Sequence, residues 1–104
     1  MALMITEVCK ILEDYKAEDI TVIDVAGKSS ITDTLVIATG RSRVHVGTLA
    51  EKIMEETTIL KIRYKEGLDS CEWVVLDADD AIIHLMTHEK RDYYRLEDIW
   101  DVDA

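Results

Sequence analysis

Proline is absent from the 104 residues and glycine occurs only four times, so no flexible linker or low-complexity segment interrupts the chain. No internal repeat is visible. No apolar run approaches the ~20 residues that a membrane-spanning helix requires. The opening MALMITEVCKILEDYK has no basic leader and carries Glu7, Glu13 and Asp14, so a secretory signal peptide is not expected. Two cysteines, Cys9 and Cys71, are too few for a disulfide scaffold; reduced thiols in a cytoplasmic protein are the expectation. Basic residues are scarce as well. Twelve Lys and Arg stand against 22 Asp and Glu, a net charge of −10. Such a chain is repelled by a phosphate backbone, and no basic patch with interleaved aromatics offsets this. Neither direct nucleic-acid binding nor an anionic membrane is expected. A basic protein partner would be attracted at long range, although acidity also serves plain solubility.

What is present reads as one α/β domain over 1–104, a mixed sheet flanked by helices. Ile5, Val8, Leu12 and Tyr15, with Met4 and Ile11 beside them, form an apolar stripe on a first helix of roughly three to four turns. The β-branched DITVIDV over 19–25 predicts a strand ending at Gly27. TLVIAT over 34–39 is almost continuously apolar, as in a strand buried on both faces. Ser42 is a plausible N-cap for a helix with Val46, Leu49, Ala50, Ile53 and Met54 on its inner face. KIRYK over 61–65 predicts a more exposed strand with Ile62 and Tyr64 together. The tail from Glu89 to Ile99, with Tyr93, Leu96 and the adjoining Trp100 at helical spacing, reads as a last helix expected to pack back on the sheet.

The informative stretch is EWVVLDADDAIIHLM, residues 72–86. A two-residue turn at 79–80 makes it a hairpin pairing Trp73 with Met86, Val75 with His84 and Asp77 with Ile82. Val74, Leu76, Ala78, Ala81, Ile83 and Leu85 then form a wholly apolar face. The other face is mixed and aromatic: Trp73, Val75, Asp77, Ile82, His84 and Met86. Two readings of it stand. A helix covers it and His84 is a satisfied, partly buried histidine, or it is an exposed docking surface, for which tryptophan and methionine are suited.

Catalytic readings find little support. Asp77 and Asp79 resemble metal-binding carboxylates, and Gly40-Arg41-Ser42 before a helix could cradle a phosphate, which together suggest a metal-dependent nucleotidyl or phosphoryl transferase. The two elements are far apart in sequence, and neither a Walker A nor a Rossmann fingerprint accompanies them. His84, His88 and Glu89 lack a supporting ligand pair for a metal. Glu72 beside Cys71 would oppose a thiolate. No catalytic residue, metal or cofactor is expected, and the protein is read as not an enzyme.

Several ordered elements from Leu3 to Trp100 carry a resemblance: VAGKSSITD over 25–33, TLVIATG over 34–40, Ser42 with His45-Val46, Glu66-Gly67, WVVLD over 73–77, Asp80 with Ile83-His84, and Arg91, Tyr94, Leu96-Glu97 and Ile99-Trp100. In these the chain resembles the ribosomal silencing factor, or Iojap-like, family. The resemblance implies a nucleotidyltransferase-like shape without a catalytic signature. It also implies a translational repressor that binds ribosomal protein number fourteen of the large (50S) subunit and blocks joining of the small subunit, lowering translation under nutrient limitation. Where the family usually reads GTSSRH, this chain reads GRSRVH over 40–45, moving an arginine to Arg43; where the family usually has glycine in the hairpin turn, this chain has Asp79. The expected partner-binding residues are Trp73 with Met86 as apolar anchor, Asp77, Asp80 and Glu66 as charged contacts, and His84, Arg91 and Tyr94 at the border. Trp100 is expected to pack, and Asp33 to cap or brace the loop after the first strand. A homodimer burying the hairpin face against itself is the remaining alternative.

Overall fold

The computed structural model describes residues 2–27, 32–58, 61–78 and 80–95, with side chains from Ile5 onward. In chain order the elements are α1 (Ala2–Asp14), β1 (Glu18–Asp24), β2 (Thr34–Gly40), α2 (Arg43–Glu56), β3 (Tyr64–Glu66), β4 (Trp73–Asp77), β5 (Ala81–Thr87) and α3 (His88–Tyr94). Among the described residues the strands form one sheet in the order β1-β2-β5-β4-β3. β2 and β5 run parallel, from Thr34 opposite Ala81 to Gly40 opposite Thr87, and every other pair is antiparallel. A parallel neighbour needs a crossover, and α2 with β3 and β4 supplies it. The mixed sheet is thus the expected one.

Because side chains alternate along a strand, the register assigns each residue to a face. On one face Val36, Ala38, Val74, Leu76, Ala81, Ile83 and Leu85 meet Val8, Leu12, Val46, Leu49, Ala50 and Ile53 of α1 and α2. Most of these side chains are fully buried, each stabilising the fold by about 1.5–3 kcal/mol for the larger ones. The stripes read from the sequence are the ones that pack. β2 is buried on both faces from Leu35 to Gly40, as its unbroken apolar run requires.

Capping follows the sequence too. The Ser42 hydroxyl accepts the His45 N–H at 3.1 Å and starts α2. His45 then ties three elements together: its Nδ1 accepts the Arg41 N–H at 2.9 Å, and its Nε2 meets the Tyr15 carbonyl at 2.8 Å. Asp33 braces the loop through its backbone, its carbonyl accepting from Val25 and its N–H donating to Asp80. The hairpin pairs Trp73 with Met86, Val74 with Leu85, Val75 with His84, Leu76 with Ile83 and Asp77 with Ile82, the expected register throughout. Asp79 lies outside the described residues.

Two elements differ from expectation. The strand placed at 61–65 begins only at Tyr64, so Ile62 packs against the helical-side core while Tyr64 joins the opposite face. Irregular backbone over 61–63 breaks the alternation that would have kept them together. The last helix ends at Tyr94, where Arg95 takes a left-handed conformation (φ 48) and donates its N–H to the Arg91 carbonyl. Tyr93 is 78% exposed and does not pack on the sheet. Leu96, Glu97, Ile99 and Trp100 lie outside the described residues.

α3 is fastened to the sheet by Arg91, which corrects its expected place at the border of the hairpin surface: it is buried, 8% exposed, at the wall of a cavity shared with Asp19, Thr21, Thr39 and His88. Its guanidinium donates to the Asp19 carbonyl, to Thr39 Oγ1 at 2.9 Å and to Thr21 Oγ1 at 2.8 Å. Asp19 sits at the irregularity in β1 with φ 49, which turns its carbonyl toward the cation. A planar fork is needed to reach acceptors on two strands. Replacing Arg91 with Ala removes these three charge-assisted hydrogen bonds and should cost about 3 kcal/mol in urea unfolding. Arg91→Lys should recover less than half of the loss, because a single ammonium reaches fewer of the acceptors.

Candidate docking face

The second face of the sheet resolves into rows across the strands. One row is Tyr64, Asp77, Ile82, Leu35 and Ile23; the next is Glu66, Val75, His84, Ile37 and Thr21; the third is Trp73, Met86 and Thr39. α3 packs on β5 and β2. Leu35, Ile37, Thr39 and Met86 are buried, whereas Tyr64 and Glu66 are exposed and Trp73, Val75, Asp77, Ile82 and His84 half-buried. Cover and partial exposure therefore divide the face. The β2–β5 centre is closed, and the β4–β3 side is open.

Met86 is the second correction. It lies opposite Trp73 as expected but is fully buried, so it cannot touch a partner. Trp73 remains partly accessible and is held by polar and aromatic contacts. Its indole N–H donates to His84 Nδ1 at 3.0 Å, and its ring lies 4.8 Å from that of Tyr94, tilted by 43°. Tyr94 is 44% exposed. Gly67 secures the backbone beneath: its φ is +85, and a Cβ there would fall 2.0 Å from the Trp73 carbonyl oxygen. The Glu66-Gly67 pair is thus explained by close approach of two chain segments.

Of the expected residues, the fold gathers Trp73, Glu66, Asp77, His84 and Tyr94 on or beside one open surface. Asp80 lies at the hairpin turn, beyond the opposite end of β4 from Trp73, and its carbonyl accepts the N–H groups of Asp33 and Thr34. Two tyrosines join the surface unannounced. Tyr64, 57% exposed, stands beside Asp77 and donates its hydroxyl to Glu66 at 3.3 Å. Tyr93 meets Tyr94 edge-on at 4.9 Å. Strand alternation hid the first, and helical spacing assigned the second to the core.

The transferase reading loses its geometry. Gly40 ends β2 next to Thr87, whereas Asp77 pairs with Ile82 at the start of β5, beside Leu35. About 17 Å of strand separates the helix N-terminus from the carboxylate, so they cannot share a phosphate. Among the described residues no group of three or more His, Cys, Asp or Glu is arranged to hold a metal. Cys9 and Cys71 are free thiols, and burial, followed by the charge of Glu13, pushes the Cys9 thiol up. No helix among the described residues is long and apolar enough to cross a membrane. Val44, at the position from which the arginine has moved, is 80% exposed, and Arg43 is exposed next to it.

A small mixed-sheet α/β protein with an open aromatic and acidic flank is the class these features define. The chain belongs to the ribosomal silencing factors: the family described as "Ribosomal silencing factor during starvation" matches residues 2–104. It is 44% identical over 91 residues to the ribosomal silencing factor RsfS of Zymomonas mobilis, covering 86% of this chain and 68% of that protein. It is 34% identical over 95 residues to the mouse protein named mitochondrial assembly of ribosomal large subunit protein 1, covering 86% of this chain and 42% of that one. A crystal structure of a Chromobacterium violaceum protein superposes with a TM-score of 0.89 at 33% identity, covering 95% of this chain and 84% of that one.

Burial holds the His84 pKa down to about 4, so its ring is neutral at pH 7 and Nδ1 is free to accept from Trp73. In the unfolded chain the same ring protonates near 6.5. Between these values the unfolded state binds more protons, so stability falls as pH drops through the window. The loss attributable to His84 should reach about 2 kcal/mol at pH 5 and about 3 kcal/mol below pH 4. Urea titrations at pH 7 and pH 5 check this: His84→Gln keeps an acceptor for the indole but does not titrate. The pH-dependent loss should shrink by about 2 kcal/mol in that variant.

Proposed function

We propose that this protein represses translation by binding the large ribosomal subunit through the open β4–β3 flank and sterically preventing the small subunit from joining. The single observation that carries the reading is the half-open aromatic row: Trp73 and Tyr94 in contact, with Glu66 and Asp77 nearby on the exposed rows. An aromatic centre bordered by acid fits a basic protein surface with an apolar patch. The net charge of −10 draws such a partner in and disfavours bare ribosomal RNA. Family membership supports a ribosomal target, and the name of the mouse relative supports the large subunit in particular. The partner of choice is ribosomal protein number fourteen of the large subunit, which the family resemblance implies lies on the face that meets the small subunit. No reaction is required. The bound domain acts in the cytoplasm by occupying volume.

Trp73 is the anchor in this reading, Glu66 and Asp77 contact Lys or Arg of the partner, and Tyr94, Tyr64 and His84 frame the surface, with Asp80 an outlying charge at the turn. Trp73→Ala should weaken co-sedimentation with 50S subunits by about 30-fold, the equivalent of ~2 kcal/mol. Trp73→Ala combined with Asp77→Lys should abolish it. Circular dichroism establishes that each variant is folded, and Glu66→Lys, at an exposed position, reports on the same surface without opening the core. A folded double variant that pellets with 50S subunits at the wild-type level removes the flank from consideration. Excess wild-type protein should also lower 70S formation from separated 30S and 50S particles in sucrose gradients.

A further inference from the structure

Beside the Trp73–Tyr94 contact, the protein seats a cation of its own. Lys90 Nζ lies 5.9 Å from the Tyr94 ring centroid, over its face, and 3.8 Å from Glu72 Oε1. Tyr93 stands against Tyr94 at 82°, presenting an aromatic edge to the same neighbourhood. An aromatic face paired with a carboxylate is the chemical environment that receives a lysine or arginine from a basic partner. It lies at the end of the proposed docking surface, since Glu72 directly precedes Trp73.

We infer that Lys90 is an internal stand-in, occupying the position that a lysine or arginine side chain of the partner takes on docking. The inference rests on the reading of the β4–β3 flank as the docking surface. Lys90 is held weakly enough to leave. Its side chain is 33% exposed and that of Glu72 41%, so water screens the pair, and 3.8 Å is a loose contact. Its backbone N–H, which Thr87 caps at 3.4 Å, does not move when the ammonium swings away. Docking is then an exchange of one cation for another, so Lys90 subtracts from the affinity that Tyr94 and Glu72 would otherwise give. A merely structural lysine, bracing α3 through its i,i+4 contact with Tyr94, would have the opposite effect: its loss would loosen the platform and weaken docking.

Binding of purified 50S subunits to Lys90→Met tests the exchange, because methionine keeps the aliphatic stem and removes the charge. Lys90→Gln serves as a second variant. Lys10→Met on α1, whose lysine pairs with Asp14, makes the same change in net charge away from this surface. Both Lys90 variants should bind about 3- to 10-fold more tightly than Lys10→Met at low ionic strength, and the gain should fade as salt rises. Affinity equal to or below that of Lys10→Met overturns the inference while leaving the docking flank intact, provided Trp73→Ala still weakens binding about 30-fold. If Trp73→Ala binds normally, the docking reading falls and the Lys90 inference falls with it.

Discussion

The parallel pairing of β2 with β5 is the contact on which the architecture turns. Seven consecutive register positions join strands more than forty residues apart in the chain, with β1 on one side and β4 then β3 on the other. Because that pair lies at the centre, both its faces must be sheltered, and the helices are distributed accordingly. α1 and α2 close one side with an entirely apolar seam, and α3 shelters part of the other. Seven residues of α3 span only about 10 Å, too little to shield a whole five-stranded face. Among the described residues the flank formed by β4 and β3 is left half-open by this shortage of cover.

The open flank is rigid where it counts. Trp73 is fixed from beneath by the backbone at Gly67, from the side by His84 Nδ1 and from above by Tyr94. Preorganised aromatic side chains give up little conformational freedom when a partner arrives, so more of the contact energy remains as affinity. His84 contributes by staying uncharged in its half-buried site: its burial, costly to a cation, is what preserves the acceptor that orients the indole.

Much of this was legible in the residue pattern. The hairpin register follows from alternation on two strands and a short turn, each limb confirming the other, and all the paired positions fall where they were expected. The buried helix stripes and the Ser42 cap are equally local signals. The failures have a shared physical origin in long-range contacts. Nothing local to Arg91 announces that its acceptors come from β1 and β2, some fifty to seventy residues earlier. Met86 belongs to the mixed face by alternation, but its complete burial is set by what packs over that face, which the strand pattern does not encode. Ile62 and Tyr64 part company because regular backbone begins only at Tyr64, two residues after Ile62. The half-open strip of sheet was therefore recognisable, whereas its limits depend on contacts between elements distant in the chain.

β3 has a further consequence. The strand bordering the open flank is three residues long, and Tyr64, Lys65 and Glu66 are all exposed. So brief and charged a margin offers a visiting strand almost no ladder to extend, which protects the sheet against end-to-end polymerisation. Whatever settles on this flank must grip side chains rather than add itself to the main-chain hydrogen bonding, and its fit is read through rings and carboxylates.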